Sequence, residues 1–377
     1  MGWSGSRIVP CVSKSSPICI SCTTGDDMPA LLLVPGVGGS EIYTPPSFFG
    51  LGPPIRVWLN YASMVAGAWR WLALGPDGRT PTFPGVGSLD AGPLVEPYYS
   101  TAVNWFSSRG YRVFQAQNFW LGVLESDAET LAAQIVSLSG EAPIHCLAHS
   151  RGGLVLRRAL QILAASNQLG LVGRCAGLGV PHQGSWESAN LLAGFQRSLE
   201  RLCLLVQLGP FADWADSGCR ALQAVVRTWP VAYQLMPALN AVGVPPATIA
   251  MLYQAAAWAG IGIEVSQAWL TEASEYWTGF GPVPAAVQWV DVVGMGLSTP
   301  DQLVSVTPPQ SPASYTYTEL GDGVVPARWA TQFGRFSITT PTAHSSLVTD
   351  GRVLAALDDF YREGIFQNVV IGGPVLP

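Results

Sequence analysis

Short apolar runs alternate with amphipathic segments along most of this chain, and the beat is interrupted twice. The first run, Ala30 to Val34, ends in Pro35-Gly36-Val37-Gly38-Gly39-Ser40, which predicts a buried strand opening into a glycine-rich loop. Beyond the first interruption, the pattern predicts a helix over about Tyr98 to Ser108 and a strand over Tyr111 to Ala116. Ser126 and Glu129 have capping-box spacing ahead of a helix whose Leu131, Ile135 and Leu138 share one face. A strand over Ile144 to Ala148 then runs into Ser150, a helix continues to about Ala165, and a further strand spans Arg174 to Val180. After the second interruption come a strand at Trp289 to Val293, a hairpin over about Gln302 to Thr318 and a strand at Arg335 to Thr339. The loop Thr340 to Ser346 and a helix from about Arg352 to Glu363 complete the pattern. Strands separated by helices imply βαβ units and a mostly parallel sheet with helices on both faces, an α/β fold. In such a sheet a site gathers at the carboxyl ends of the strands.

Residues 1–27 lack periodicity and read as an irregular N-terminal arm. The first part of the α/β core is expected over 28–185. Within it, 43–97 is rich in Pro, Gly and aromatics (Phe48, Phe49, Trp58, Trp69, Trp71) and reads as a loop-rich insertion, either part of a substrate mouth or a local core. Residues 186–287 are helical and apolar: Leu191, Leu192, Phe195, Leu199 and Leu202 share a stripe opposite Arg197 and Arg201. This is expected to be an inserted, mainly helical cap that lines an acyl pocket or meets a lipid surface, or else a helical subdomain packing on itself. The second part of the core follows over 288–377.

Composition narrows the function classes. The net charge of -6 and pI near 5.2, with Arg157-Arg158 as the lone basic cluster, argue against a nucleic-acid partner. A chain that is 49% hydrophobic and 12% charged, with 14 tryptophans, suits a protein that handles an apolar substrate or makes transient contact with a membrane or lipid surface. No apolar window is long enough to span a bilayer, and no basic region followed by an apolar core marks a secretory signal. Cytoplasmic placement is the default, and secretion the alternative if the N-terminus is processed. Seven cysteines give no framework; Cys19-x-x-Cys22 with Cys11 has no second pair or histidine nearby, so no metal is expected. Cys146 and Cys175 read as small buried apolar residues, whereas Cys203 and Cys219 are able to pair in an oxidising compartment. The glycines at 36–39 fit neither nucleotide fingerprint, and no Gly-Lys-Ser/Thr follows; no cofactor is expected.

The chemistry centres on Ala148-His149-Ser150-Arg151-Gly152. A strand, a sharp turn and a helix hold a serine in strained backbone, which requires small residues two before and two after it. Ser150 is the candidate nucleophile, and it needs a histidine held by a carboxylate. Of four histidines, His145 lies inside a strand and His149 in the elbow, pointing away from the serine; His182 is the runner-up base and, together with Trp120, a candidate at a pocket rim. His344, just after the last strand of the core, is the preferred base. Candidate acids are Asp291, Asp301, Glu319 and Asp322. Asp291 falls mid-strand, where a carboxylate is expected to lack a partner, and Asp322, between two glycines ahead of His344, is preferred. Backbone N–H groups of Val37 and Arg151 are the candidate oxyanion hole. The order Ser150, Asp322, His344 is that of the α/β-hydrolases.

With these features in order, the chain resembles the lecithin:cholesterol acyltransferase-like branch of the α/β-hydrolases. The resemblance rests on L-L-L-V-P-G-V-G-G-S at 31–40, V-W-L-N at 57–60, A-H-S-R-G-G-L-V at 148–155, G-V-P-H-Q-G-S at 179–185, G-M-G-L-S-T-P at 294–300 and G-D-G-V-V-P at 321–326. It implies an α/β-hydrolase core with Ser150, Asp322 and His344 as the triad. The implied activity is acyl-ester chemistry on lipid-like substrates, as a lipase or esterase or as an O-acyltransferase; a catalytically silent lipid-binding module is the non-enzyme alternative. Two positions depart from the family pattern. Arg151 replaces an apolar residue, its side chain open to a substrate phosphate or a nearby acid. A Tyr-Asp-Trp-Arg stretch expected after the Tyr111 to Ala116 strand stands here as Gln117-Asn118-Phe119-Trp120.

Overall fold

Ala30, Leu32 and Val34 pack to one side of their strand and Leu31 and Leu33 to the other, and all five are buried. A strand apolar on both sides belongs inside a sheet covered on both faces. The computed structural model describes residues 28–45, 53–140, 142–194, 215–305, 307–332, 335–364 and 367–372. It places that strand, β1 (Ala30–Val34), inside a seven-stranded sheet, one strand in from its edge. In chain order the strands are β1, β2 (Ser40–Thr44), β3 (Ile55–Trp58), β4 (Asp90–Leu94), β5 (Arg112–Gln115), β6 (Ile144–His149) and β7 (Val172–Leu178). They continue with β8 (Trp289–Gly294), β9 (Thr299–Leu303), β10 (Tyr315–Thr318), β11 (Phe336–Thr340) and β12 (Val369–Val370). The main sheet has the order β12-β11-β8-β7-β6-β1-β5, and every neighbouring pair in it is parallel. This is the α/β-hydrolase fold.

The helices are α1 (Tyr61–Val65), α2 (Glu96–Ser107), α3 (Leu124–Leu138), α4 (Arg151–Ala165), α5 (Trp186–Ala193) and α6 (Ala215–Val226). After them come α7 (Pro230–Gln234), α8 (Pro246–Leu252), α9 (Ala255–Ala259), α10 (Gln267–Gly279) and α11 (Gly351–Glu363). One face of the sheet is covered by α3 and α4, the other by α2 and α11. The chain leaves β1 for β5 on one side and then crosses to β6 on the other. The strand order therefore reverses between β1 and β6, the place where a parallel sheet gathers a site at the carboxyl ends of its strands.

Three expectations change. Residues 43–97 hold β3, β4 and the end of β2, and these strands form a second, antiparallel sheet in the order β3-β2-β4, with its own core of Ile42, Val57, Met64, Trp69, Leu72 and Leu89. Four- and five-residue strands with register shifts carry too little alternation to be read from sequence. Helix α3 starts at Leu124, two residues before the presumed Ser126 cap. Its first amide donates to Gln234 Oε1 at 2.8 Å, so a residue distant in sequence caps this end. Between Trp186 and Val287 the described residues are mainly helical, and Tyr233, Met236, Leu252, Trp258 and Leu270 join the core beneath α3 and α4 rather than forming a separate one. Most of the apolar stripe beyond Leu192, and Cys11, Cys19, Cys22 and Cys203, lie outside the described residues. Cys146 and Cys175 are buried register partners on β6 and β7. Among the described residues no helix is long and apolar enough to cross a membrane.

Candidate active site

Ser150 joins β6 to α4 with φ 55° and ψ -128°, a conformation that costs a non-glycine residue of order 1–3 kcal/mol. Its own backbone holds it there: the N–H donates to the Leu178 carbonyl at 2.8 Å and the carbonyl accepts from Gly153 N–H at 2.9 Å. The size limit on the elbow has a concrete source. A Cβ on Gly152 would stand 2.4 Å from the Val34 carbonyl oxygen and 2.6 Å from that of Pro35, so α4 lies directly against the end of β1.

His344 sits in the loop after β11, and its ring bridges two partners. Ser150 Oγ donates to His344 Nε2 at 2.9 Å, and His344 Nδ1 donates to Asp322 Oδ2 at 2.7 Å. Asp322 is buried, and its other oxygen accepts from the Val324 and Val325 N–H groups at 2.9 and 2.7 Å. The two loops are also joined through backbone, His344 N–H donating to the Asp322 carbonyl at 3.0 Å. A serine whose proton can pass to a held imidazole is a competent nucleophile.

The loop after β1 closes over the serine. A Cβ on Gly36 would come within 2.8 Å of Ser150 Cβ. Asn118 Nδ2 donates to the Pro35 carbonyl at 2.7 Å, Gly36 N–H to Tyr99 Oη at 3.0 Å, and Trp58 Nε1 to the Gly38 carbonyl at 2.9 Å. Between these fixed points Val37 is 42% exposed. Among the described residues, neither its N–H nor that of Arg151 at the first turn of α4 has a hydrogen-bond partner. Two such amides flanking a serine can receive a developing oxyanion.

The Arg151 side chain turns away from this space and is wholly buried. Nη1 donates to Asn118 Oδ1 at 2.8 Å and lies 2.7 Å from Asp127 Oδ2, and Nη2 donates to the Gly122 carbonyl at 3.2 Å. Of the two partners the sequence left open, it takes the acid; no substrate phosphate can reach it.

The rim residues are a correction. His182 is buried and its Nε2 donates to Asp291 Oδ1 at 2.9 Å. Asp291 thus has partners, since Trp289 Nε1 donates to Oδ1 at 2.6 Å and Gln332 N–H to Oδ2 at 2.9 Å. This pair stands beside the core, with donors supplied from elements far apart in the chain. Trp120 is buried too, packed between Trp58 and Trp229 with its N–H on the Ser40 carbonyl, because the second sheet covers it. Asp301 pairs with Arg328. His145 Nδ1 accepts from Arg174 N–H at 2.9 Å, as befits a histidine within a strand.

His149 has more to do than its place in the elbow suggests. Tyr99 Oη lies 3.0 Å from its Nδ1, and its Nε2 donates to the His344 carbonyl at 3.0 Å. Strand alternation puts His149 on the same side of β6 as Leu147, the side covered by α2, which carries Tyr99. That alternation was the available signal. Burial, followed by the nearness of His344, lowers His149 to about 3. An unfolded chain takes up this proton near pH 6.5, so native stability falls as pH drops from about 6.5 towards 3. Between pH 7 and 5 the unfolding free energy is expected to fall by about 2 kcal/mol more in the parent chain than in His149→Gln. Urea denaturation of both at the two pH values checks this; equal losses would refute it.

Among the described residues no three His, Cys, Asp or Glu side chains converge as a metal site would require. No protein-family model matches the chain, and no curated protein does. Among solved structures, the chain is similar to Bacillus licheniformis lipase BlEst2 in mature form, at 12% identity over 90% of this chain and 94% of that one, with a TM-score of 0.44. It is also similar to EstA from Clostridium botulinum (12% identity, 91% and 88% covered, TM-score 0.41) and to naproxen esterase (carboxylesterase NP) from Bacillus subtilis (11% identity, 89% and 85% covered, TM-score 0.34).

Proposed function

We propose that this chain is a serine esterase or lipase that hydrolyses carboxylic esters of lipid-like substrates through an acyl-enzyme. The observation that carries the proposal is the His344 ring, hydrogen-bonded to Ser150 Oγ on one side and to the buried Asp322 carboxylate on the other. Ser150 Oγ attacks the ester carbonyl carbon while its proton passes to His344 Nε2. The imidazolium formed is stabilised by Asp322, and the oxyanion by the Val37 and Arg151 amides, each such donor being worth ~3 kcal/mol. His344 then returns the proton to the departing alcohol oxygen, leaving an acyl ester on Ser150. Water, deprotonated by His344, attacks that ester; the carboxylic acid leaves and Ser150 recovers its proton.

An apolar substrate is supported by two side chains on the loops that carry these groups. Val37 precedes Gly38 on the oxyanion loop, and Leu297 pairs through its backbone with the Gly321-Asp322 turn; both side chains are exposed. Exposed apolar side chains on the loops that carry the chemistry suit an acyl chain. A fluorophosphonate probe is expected to label Ser150 in the folded chain, and p-nitrophenyl esters of increasing length to be cleaved with a preference for medium or long acyl groups. Product analysis on phospholipid and triacylglycerol, with Ser150→Ala as the blank, tests the reaction itself. No label on Ser150 would replace this reading with a silent lipid-binding module. Activity confined to acetate would sink the apolar acyl site, and a new ester formed from an added alcohol would make the chain an O-acyltransferase.

A further inference from the structure

We infer that Tyr99 and His149 are positioning residues that hold the oxyanion loop and the general base in one register. The inference rests on the reading of Ser150 as an esterolytic nucleophile, and it assigns roles to two side chains that touch no reacting atom in that scheme. Four groups form an unbroken line behind the serine: Gly36 N–H, the Tyr99 hydroxyl, the His149 ring and the His344 carbonyl, each 3.0 Å from the next.

The line has one proton arrangement. A carbonyl oxygen only accepts, so His149 must carry its hydrogen on Nε2 to meet His344. A neutral ring then presents Nδ1 as an acceptor, and the Tyr99 O–H donates to it. The Tyr99 oxygen is left to accept from Gly36. The Gly36–Tyr99 and Tyr99–His149 bonds are buried, which shields them from competition by water; the His149–His344 bond is part-buried.

Each end of the line touches a working part. At one end Gly36 N–H is committed to Tyr99, which turns the amide away from the reacting carbonyl and leaves the next one, Val37 N–H, to face it. At the other end His344 is gripped at its carbonyl by His149, at its N–H by the Asp322 carbonyl and at Nδ1 by the Asp322 side chain. His149 is the last residue of β6 and precedes the nucleophile. One strand end thus sets the serine, the base and the oxyanion loop together. The rings of His149 and His344 have centroids 5.0 Å apart, and the neutral state of His149 lets His344 take up the serine proton without an opposing charge beside it.

The test uses the full chain with Tyr99→Phe, His149→Phe and His149→Gln. Tyr99→Phe is expected to lower kcat on a medium-chain p-nitrophenyl ester about 10-fold with KM within about twofold, and His149→Phe to lower it about 100-fold. A glutamine amide in place of the imidazole can accept from Tyr99 and donate to His344, so His149→Gln is expected to stay within a few-fold of the parent chain. Nitrogen NMR of the parent chain is expected to show His149 as the neutral Nε2–H tautomer, with the Nδ1 signal moving in Tyr99→Phe. Unchanged kcat in both Phe variants, a Gln variant as slow as the Phe variant, or an Nδ1–H tautomer would overturn the inference. A parent chain that neither cleaves ester nor takes the fluorophosphonate would overturn the esterase reading instead, and the tautomer would still judge the hydrogen-bond line.

Discussion

His344→Ala is expected to slow ester hydrolysis by ~10⁴- to 10⁶-fold, with Ser150→Ala adding little when the two are combined, because groups that act as one unit are not additive. The Ser150 hydroxyl has no other acceptor for its proton within hydrogen-bond reach among the described residues. Asp322→Asn is the more informative change, with an expected loss of about 10⁴-fold. Asp322 Oδ1 accepts from two backbone N–H groups, so an asparagine keeps its oxygen there and turns its NH₂ towards His344 Nδ1. The ring is then forced to carry its hydrogen on Nε2, facing Ser150, where it cannot take a proton. Steady-state kinetics on a p-nitrophenyl ester, with unfolding midpoints as a control, distinguish this from loss of fold. An Asn variant within tenfold of the parent chain would show that His344 does not depend on Asp322 for its tautomer.

Arg151→Met is expected to destabilise the fold by about 3–5 kcal/mol, the usual consequence of leaving one buried charge without its partner. Asp127 would lose the guanidinium 2.7 Å away while remaining buried, and Asn118 and the Gly122 carbonyl would each lose a donor. Adding Asp127→Asn should recover much of the loss, since an asparagine oxygen still accepts from Phe119 N–H at the position of Oδ1. Lysine is a poor substitute: one ammonium cannot span the three acceptors that the planar guanidinium reaches. Urea denaturation of the single and double variants settles the matter; a single variant within 1 kcal/mol of the parent chain would mean that the ion pair contributes nothing net.

This cluster also shows where the sequence stopped being readable. Arg151 and the Gln117-Asn118-Phe119-Trp120 stretch were two separate departures from an acyltransferase-like pattern, and in the fold they meet, Arg151 on Asn118. Nothing local couples positions 33 residues apart. The alternation of strands and helices was legible because the inner strands of the main sheet are apolar on both faces, and the bounds read for β1 match those observed. Ser150, Asp322 and His344 were legible from chain order and from the scarcity of histidines, and the fold sets them in one hydrogen-bonded line. The antiparallel sheet around Ile42 was not legible, since its strands are short and half polar. His182 and Asp291 defeat a residue-by-residue reading for a common reason: each sustains the burial of the other, and Trp289 and Gln332 supply Asp291 with further donors.

The left-handed backbone at Ser150 bears on how this chain holds its place through mutation. Glycine adopts φ near 55° without strain, so Ser150→Gly relieves the elbow at the same stroke that removes the hydroxyl. On the proposed esterase reading, stability and chemistry are opposed at this one position, because the residue with the least backbone strain there carries no hydroxyl. A lineage drifting without selection on its chemistry would be drawn towards the inert, more stable form. A serine kept in this uphill conformation is one that selection for folding alone would not favour.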